Sequence, residues 1–162
     1  MKSSKSILFA LTSLLSINAF SNINNSTDCI SEIEQNYTLR KNVELTGKWK
    51  LDIDFNQLFV KIYGENNFIK NNTDKTSEKL RLSIILVEDI PNSKDFSGYK
   101  IIDVDINPVN GNSEIKDTKI ETNFLNRLPQ GKYYPMLILS ELDKDGIYKT
   151  KSTVKFTERY TI

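Results

Sequence analysis

From Val43 onward the chain alternates apolar and polar residues with a period of two, the signature of strands that bury one face. Trp49, Leu51, Ile53 and Phe55 alternate with Lys48, Lys50, Asp52 and Asp54, and Leu58, Val60 and Ile62 resume the pattern after a break at Asn56-Gln57. Leu80, Leu82, Ile84 and Leu86 form a second apolar file, with Arg81 and Ser83 opposite. Ile85 and Val87 make the other face of that strand partly apolar too, which predicts a central position in a sheet. Ile102, Val104 and Ile106 alternate with Ile101, Asp103 and Asp105, and Asn110-Gly111 then supplies a turn dipeptide. A weaker strand follows around Ile115 to Glu121.

Leu128-Pro129-Gln130-Gly131 is a turn signal running into an almost unbroken apolar strand through Leu139. Asp143-Lys144-Asp145-Gly146 is a second tight turn, so the strand before it and the strand from Ile147 to Phe156 should form a hairpin. In that last strand Tyr148, Val154 and Phe156 are expected on one face and Lys149, Lys151 and Lys155 on the other, a lysine-bearing face that suits a solvated edge. About seven strands, regularly spaced turns and no long helical pattern predict an all-β, antiparallel β-sandwich, with a closed barrel as the other arrangement. Asn71 to Lys79 reads as a loop.

The first 41 residues have a different character. Lys2 and Lys5, the apolar run Ile7 to Leu15, and small or polar residues through Ser21 have the layout of a secretory signal, so residues 1–21 are expected to be removed on export. Residues 22–41 read as a polar leader, with capping-box spacing at Ser31 and Glu34, and residues 42–162 as one β domain. Loss of Lys2 and Lys5 takes the 22 basic residues to 20 against 21 acidic ones, a balance that gives no electrostatic argument for nucleic acid. No segment after the signal approaches the roughly 20 apolar residues of a membrane-spanning helix. Cys29 is the one cysteine, which excludes an internal disulfide, and its polar surroundings do not fit a lipidation box.

Leu128-Pro129-Gln130-Gly131-Lys132-Tyr133 followed by Leu137 and Leu139 resembles the turn and sixth strand of immunoglobulin-like and fibronectin-like modules in secreted bacterial proteins. Ser97-Gly98-Tyr99-Lys100 and the stretch from Tyr133 to Glu141 share that resemblance, which loosely covers Val43 to Phe156. It implies an immunoglobulin- or fibronectin-like sandwich acting as an interaction or spacer unit. The immunoglobulin disulfide is missing, so the likeness implies architecture and carries over no functional residue.

Candidate chemistry is thin. The chain has no histidine, which removes Ser-His and Cys-His dyads and the usual zinc ligand sets. Asp52 with Asp54, and Asp103 with Asp105, sit two apart on predicted strands, so each pair projects from one face at roughly 7 Å. Glycosidases use carboxylates at comparable separation, but a solvated sheet face has the same pattern. Asp103, Asp105, Asn107 and Glu114 occupy positions one, three, five and twelve of the helix-loop-helix calcium pattern, yet Pro108 stands where that loop needs glycine. Asp143 and Asp145 are explained by their turn.

Binding surfaces remain. If Tyr133, Leu137 and Leu139 face the core, then Tyr134, Met136 and Ile138 form an apolar stripe on the opposite face. Monomers seldom expose large patches, so cover by another part of the chain is expected; uncovered, the stripe would be a partner site. Trp49 could stack on sugar, but its alternation with Leu51 and Ile53 makes it a core residue. The expectation is an exported, non-catalytic β-sandwich that binds or assists another envelope or extracellular protein, with no cofactor. A carboxylate-dependent glycan hydrolase and a carbohydrate-binding module are the alternatives.

Overall fold

A computed structural model describes residues 42–91, 97–124 and 128–162; the signal, the leader with Cys29, Ser31 and Glu34 all lie outside the described residues. Among the described residues nine strands follow one another: β1 (Val43–Asp54), β2 (Phe59–Asn71), β3 (Leu80–Val87), β4 (Tyr99–Ile106), β5 (Ser113–Lys116), β6 (Ile120–Asn123), β7 (Lys132–Leu142), β8 (Tyr148–Lys155) and β9 (Tyr160–Thr161). All pairings are antiparallel. One sheet runs β1-β2-β5, with β6 also on β2; the other runs β4-β3-β7-β8, with β9 on β7. Among the described residues no helix is long and apolar enough to cross a membrane.

The two sheets share one core, giving a sandwich-like arrangement. The inward alternation of β1 and β2 buries Trp49, Leu51, Val60, Ile62 and Ile69 against Leu80, Leu82, Ile84, Leu137 and Leu139 of the other sheet. Leu82 and Leu137 are completely buried. Each such side chain contributes roughly 2–3 kcal/mol by leaving water, and truncation to alanine costs about 2–5 kcal/mol once the cavity is included. Trp49 belongs to this core, its indole N–H donating to the Thr46 carbonyl at 3.0 Å. Strand β3 lies between β4 and β7, the central place its two-sided apolarity requires. Two bonds tie the free edge of β1 to the opposite sheet: the Leu45 N–H donates to Ser152 Oγ at 3.1 Å, and the Tyr160 hydroxyl to the Leu51 carbonyl at 3.1 Å.

Three features depart from simple alternation. Strand β2 runs on through Gly64 to Asn71, well past the last residue of its clear pattern, because a bulge between Thr46 and Lys48 resets its register. The strand expected at Ile115 to Glu121 is split into β5 and β6, which pair with two halves of β2 around Asp117 (φ 50°). Gly47 (φ 81°) and Asn66 (φ 52°) continue that irregularity across the sheet as a crease. At Gly47 a Cβ would lie 1.7 Å from the Asn66 carbonyl oxygen, so both the left-handed backbone and the close approach require glycine. In β8, a bulge opposite Leu139 and Ser140 puts Tyr148 on the face away from Val154, where one shared face was expected. The turn expected at Asn110-Gly111 is present and joins β4 to β5 of the other sheet.

Candidate functional site

The outer face of the β4-β3-β7-β8 sheet carries the apolar stripe and, of the calcium candidates, Asp103 and Asp105. Strand β7 sends Tyr133, Leu137 and Leu139 into the core and Met136 and Ile138 the other way. Met136 pairs with Ile85 and Lys155, Ile138 with Ser83 and Thr153, and Tyr134 with Val87. This stripe is not an open patch: Met136 is 1% exposed, Ile138 4% and Val87 2%. The Lys155 ammonium donates to the Pro91 carbonyl at 2.9 Å, which brings the chain leaving β3 across β7 to β8. Tyr134 is half-buried, with the Arg159 guanidinium 5.2 Å from its ring centroid.

The other half of this face is polar. Strands β3 and β4 align Arg81 with Asp105 and Ser83 with Asp103. Arg81 donates to Asp105 Oδ1 from both Nε and Nη2 at 2.7 Å, and its guanidinium lies 4.0 Å from the Tyr148 ring centroid. The bond to Asp105 outweighs partial burial and holds Arg81 above its already high ordinary pKa. Asp103 accepts from Ser83 Oγ at 2.5 Å and from the Lys100 ammonium at 2.8 Å. Thus β4 brings Asp103 and Asp105 together, and three neighbouring side chains occupy them. Asn107 is exposed in the loop after β4, whereas Glu114 stands on β5 in the other sheet, 3.1 Å from Lys116. Among the described residues no group of three or more Cys, Asp or Glu could hold a metal ion.

The second carboxylate pair belongs to the opposite sheet. Asp52 accepts from the Tyr63 hydroxyl at 3.3 Å, and burial, then Asp52 itself, raises the Tyr63 pKa. Asp54 Oδ1 accepts from the backbone N–H groups of Asn56 and Gln57, both at 2.9 Å, and so forms the turn between β1 and β2. The fold therefore separates the two aspartate pairs onto different sheets.

The most highly organised polar region is one that the sequence pattern read only as loop. At one end of the molecule the β2–β3, β4–β5 and β7–β8 connections meet. Asn71, 1% exposed, donates from Nδ2 to the carbonyls of Lys75 (2.8 Å) and Val109 (2.9 Å). Its Oδ1 accepts from the Thr73 N–H (3.0 Å) and hydroxyl (2.8 Å), so all four positions of the amide are used. Ser77 and Val109 exchange two bonds at 2.9 Å, and the Asn112 N–H donates to the Thr73 carbonyl at 2.7 Å. The third connection is tied in by Leu142 N–H to the Lys79 carbonyl (2.9 Å) and Glu78 N–H to Glu141 (3.0 Å). Asp74, Lys75, Thr76, Asn110 and Asn112 are left exposed on this rigid support. The signal for it was the phase of β2: two residues beyond inward Ile69, Asn71 is itself inward.

Comparison with protein-family models, with curated proteins and with solved structures finds no match to this chain.

Proposed function

We propose that this chain is an exported, non-catalytic β-sandwich module of immunoglobulin-like type that binds another envelope or extracellular protein through its knitted loop end. The observation that carries the reading is the locking of the β2–β3 and β4–β5 loops by buried Asn71, with the β7–β8 connection tied to them through Lys79 and Glu78, because recognition residues are best presented on loops fixed by a rigid scaffold. The strand order supports the fold type. With β5 and β6 taken as one interrupted strand, β1-β2-β5/β6 faces β4-β3-β7-β8, the immunoglobulin layout with its fourth strand carried on the edge of the second sheet. The Tyr133 hydroxyl donating back to the Pro129 carbonyl at 3.3 Å has the form of a tyrosine corner. The aspartates fit a structural role, since Asp54, Asp103 and Asp105 each accept from specific neighbours.

Chemical crosslinking of the mature protein in its native envelope fraction tests the reading, with Lys75→Glu/Thr76→Tyr at the loop end and Glu65→Lys on the far sheet as the paired variants. The expected result is a partner lost by the first variant and kept by the second. A partner kept by both, or none captured, refutes the loop-end reading. Sequencing the N-terminus of the mature chain tests export separately, with processing after Ser21 expected.

A further inference from the structure

Within the loop end, the pair Asn110-Gly111 has a chemistry of its own. We propose that Asn110 is a site of spontaneous deamidation in the folded protein. In this reaction the Gly111 backbone nitrogen attacks Asn110 Cγ, a C–N bond forms, ammonia leaves with the side-chain nitrogen, and a cyclic imide results. Water then opens the ring on either side, giving aspartate or isoaspartate; no redox partner is needed.

Three observations place the reacting groups. Asn110 is exposed, so water reaches the amide and the imide. The Thr76 hydroxyl donates to Asn110 Oδ1 at 3.4 Å, withdrawing electron density from the carbon under attack and stabilising the oxyanion that forms there. Among the described residues no backbone hydrogen bond engages the Gly111 N–H, so the nucleophile is not held in a ladder. The glycine is also obligatory. A Cβ at position 111 would lie 2.4 Å from the backbone carbonyl of Asp74, so no larger residue can shield this nitrogen without moving the neighbouring loop.

The products differ in consequence. Aspartate adds one negative charge beside Asp74 and leaves the backbone length intact. Isoaspartate adds a backbone carbon between Val109, whose N–H and carbonyl are both bonded to Ser77, and Asn112, which is bonded to Thr73. With both flanks fixed, the longer chain must break one of these bonds.

The test follows the purified folded protein during incubation at physiological temperature and mildly alkaline pH, with peptide mapping of each asparagine. The expected result is a mass gain of about one dalton, the change from amide to acid, appearing at Asn110 before Asn112 or Asn66. Asn110→Gln should abolish it. The aged fraction should melt below an Asn110→Asp variant, which has the charge without the added carbon. An intact Asn110 after prolonged incubation overturns the proposal, whether or not the same segment reacts as an excised peptide. Because the chemistry is read on the isolated protein, it stands or falls independently of any partner.

Discussion

Asn67 and Asn71 lie four residues apart on β2, both facing inward and both removed from solvent, yet they do different things. Asn71 uses every donor and acceptor it has, and three of its four bonds end on loop backbone that no strand ladder serves, the fourth on the Thr73 hydroxyl. Asn67 donates to the Thr118 carbonyl at 2.9 Å, but among the described residues its Oδ1 has no partner. It sits on the crease marked by Gly47, Asn66 and Asp117, where the sheet departs from regular pairing. A buried amide thus stabilises to the extent that it replaces missing backbone partners. One left half-satisfied is a consequence of bending the sheet.

The largest effect should follow from Asn71→Leu. The variant fills the same space but removes four hydrogen bonds: the Thr73 N–H loses its acceptor, the Thr73 hydroxyl loses one, and the Lys75 and Val109 carbonyls keep only the Thr73 hydroxyl and the Ser77 N–H, a loss of about 4 kcal/mol at about 1 kcal/mol per bond. Urea unfolding measures it, and amide exchange should show the β2–β3 and β4–β5 loops opening first. A loss no larger than that of the corresponding Asn67 variant would erase the distinction between the two regions. Gly47→Ala should come next, at about 3 kcal/mol, combining a strained left-handed residue with a collision against backbone. If it unfolds at the native midpoint, the crease is not fixed by Gly47.

How much of this was legible follows the same division. The inward files of β1, β3 and β7 could be read directly, because one-sided burial imposes a period of two that survives in the residue types. The crease could not, since Asn66 and Asp117 are ordinary loop residues until their left-handed backbone is seen, and a bulge reverses the alternation beyond it. The same effect misplaced Tyr148 relative to Val154. Tyr134, Met136 and Ile138 were legible as a second apolar face, but not what lies over them, because Pro91 meets Lys155 across 64 positions of sequence. Asn71 was hidden by its type: asparagine reads as loop, and its burial depends on loops distant in sequence.

Asn67→Leu sharpens the comparison from the other side. It removes an unpartnered buried oxygen and one hydrogen bond together, terms of opposite sign, so the net change should stay below about 1 kcal/mol. Paired with Asn71→Leu, the same substitution four residues away on the same face should differ severalfold in cost. Equilibrium unfolding of both variants in one buffer gives the ratio, and a value near unity would mean that burial alone, and not satisfaction, sets the cost.

The smallest effect belongs to the third connection of the loop end, which is held by a carboxylate where the other two are held by an amide. Asp143 Oδ1 accepts from the N–H groups of Asp145 and Ile147 at 2.9 Å, and Oδ2 lies 2.6 Å from the Lys149 ammonium. The bond to Lys149, then that to the Ile147 N–H, lowers its pKa from the ordinary 3.8. A lowered folded-state value means that the contribution of Asp143 is complete above 3.8 and disappears as pH falls through the lower folded value. Asn71 carries no ionisable proton. On acidification the Asp145 and Ile147 amide resonances should therefore shift together while those of Thr73 and Asn112 hold still. Joint movement of all four at one pH would show instead that the three loops open as a single unit, and that the carboxylate and the amide are parts of one lock.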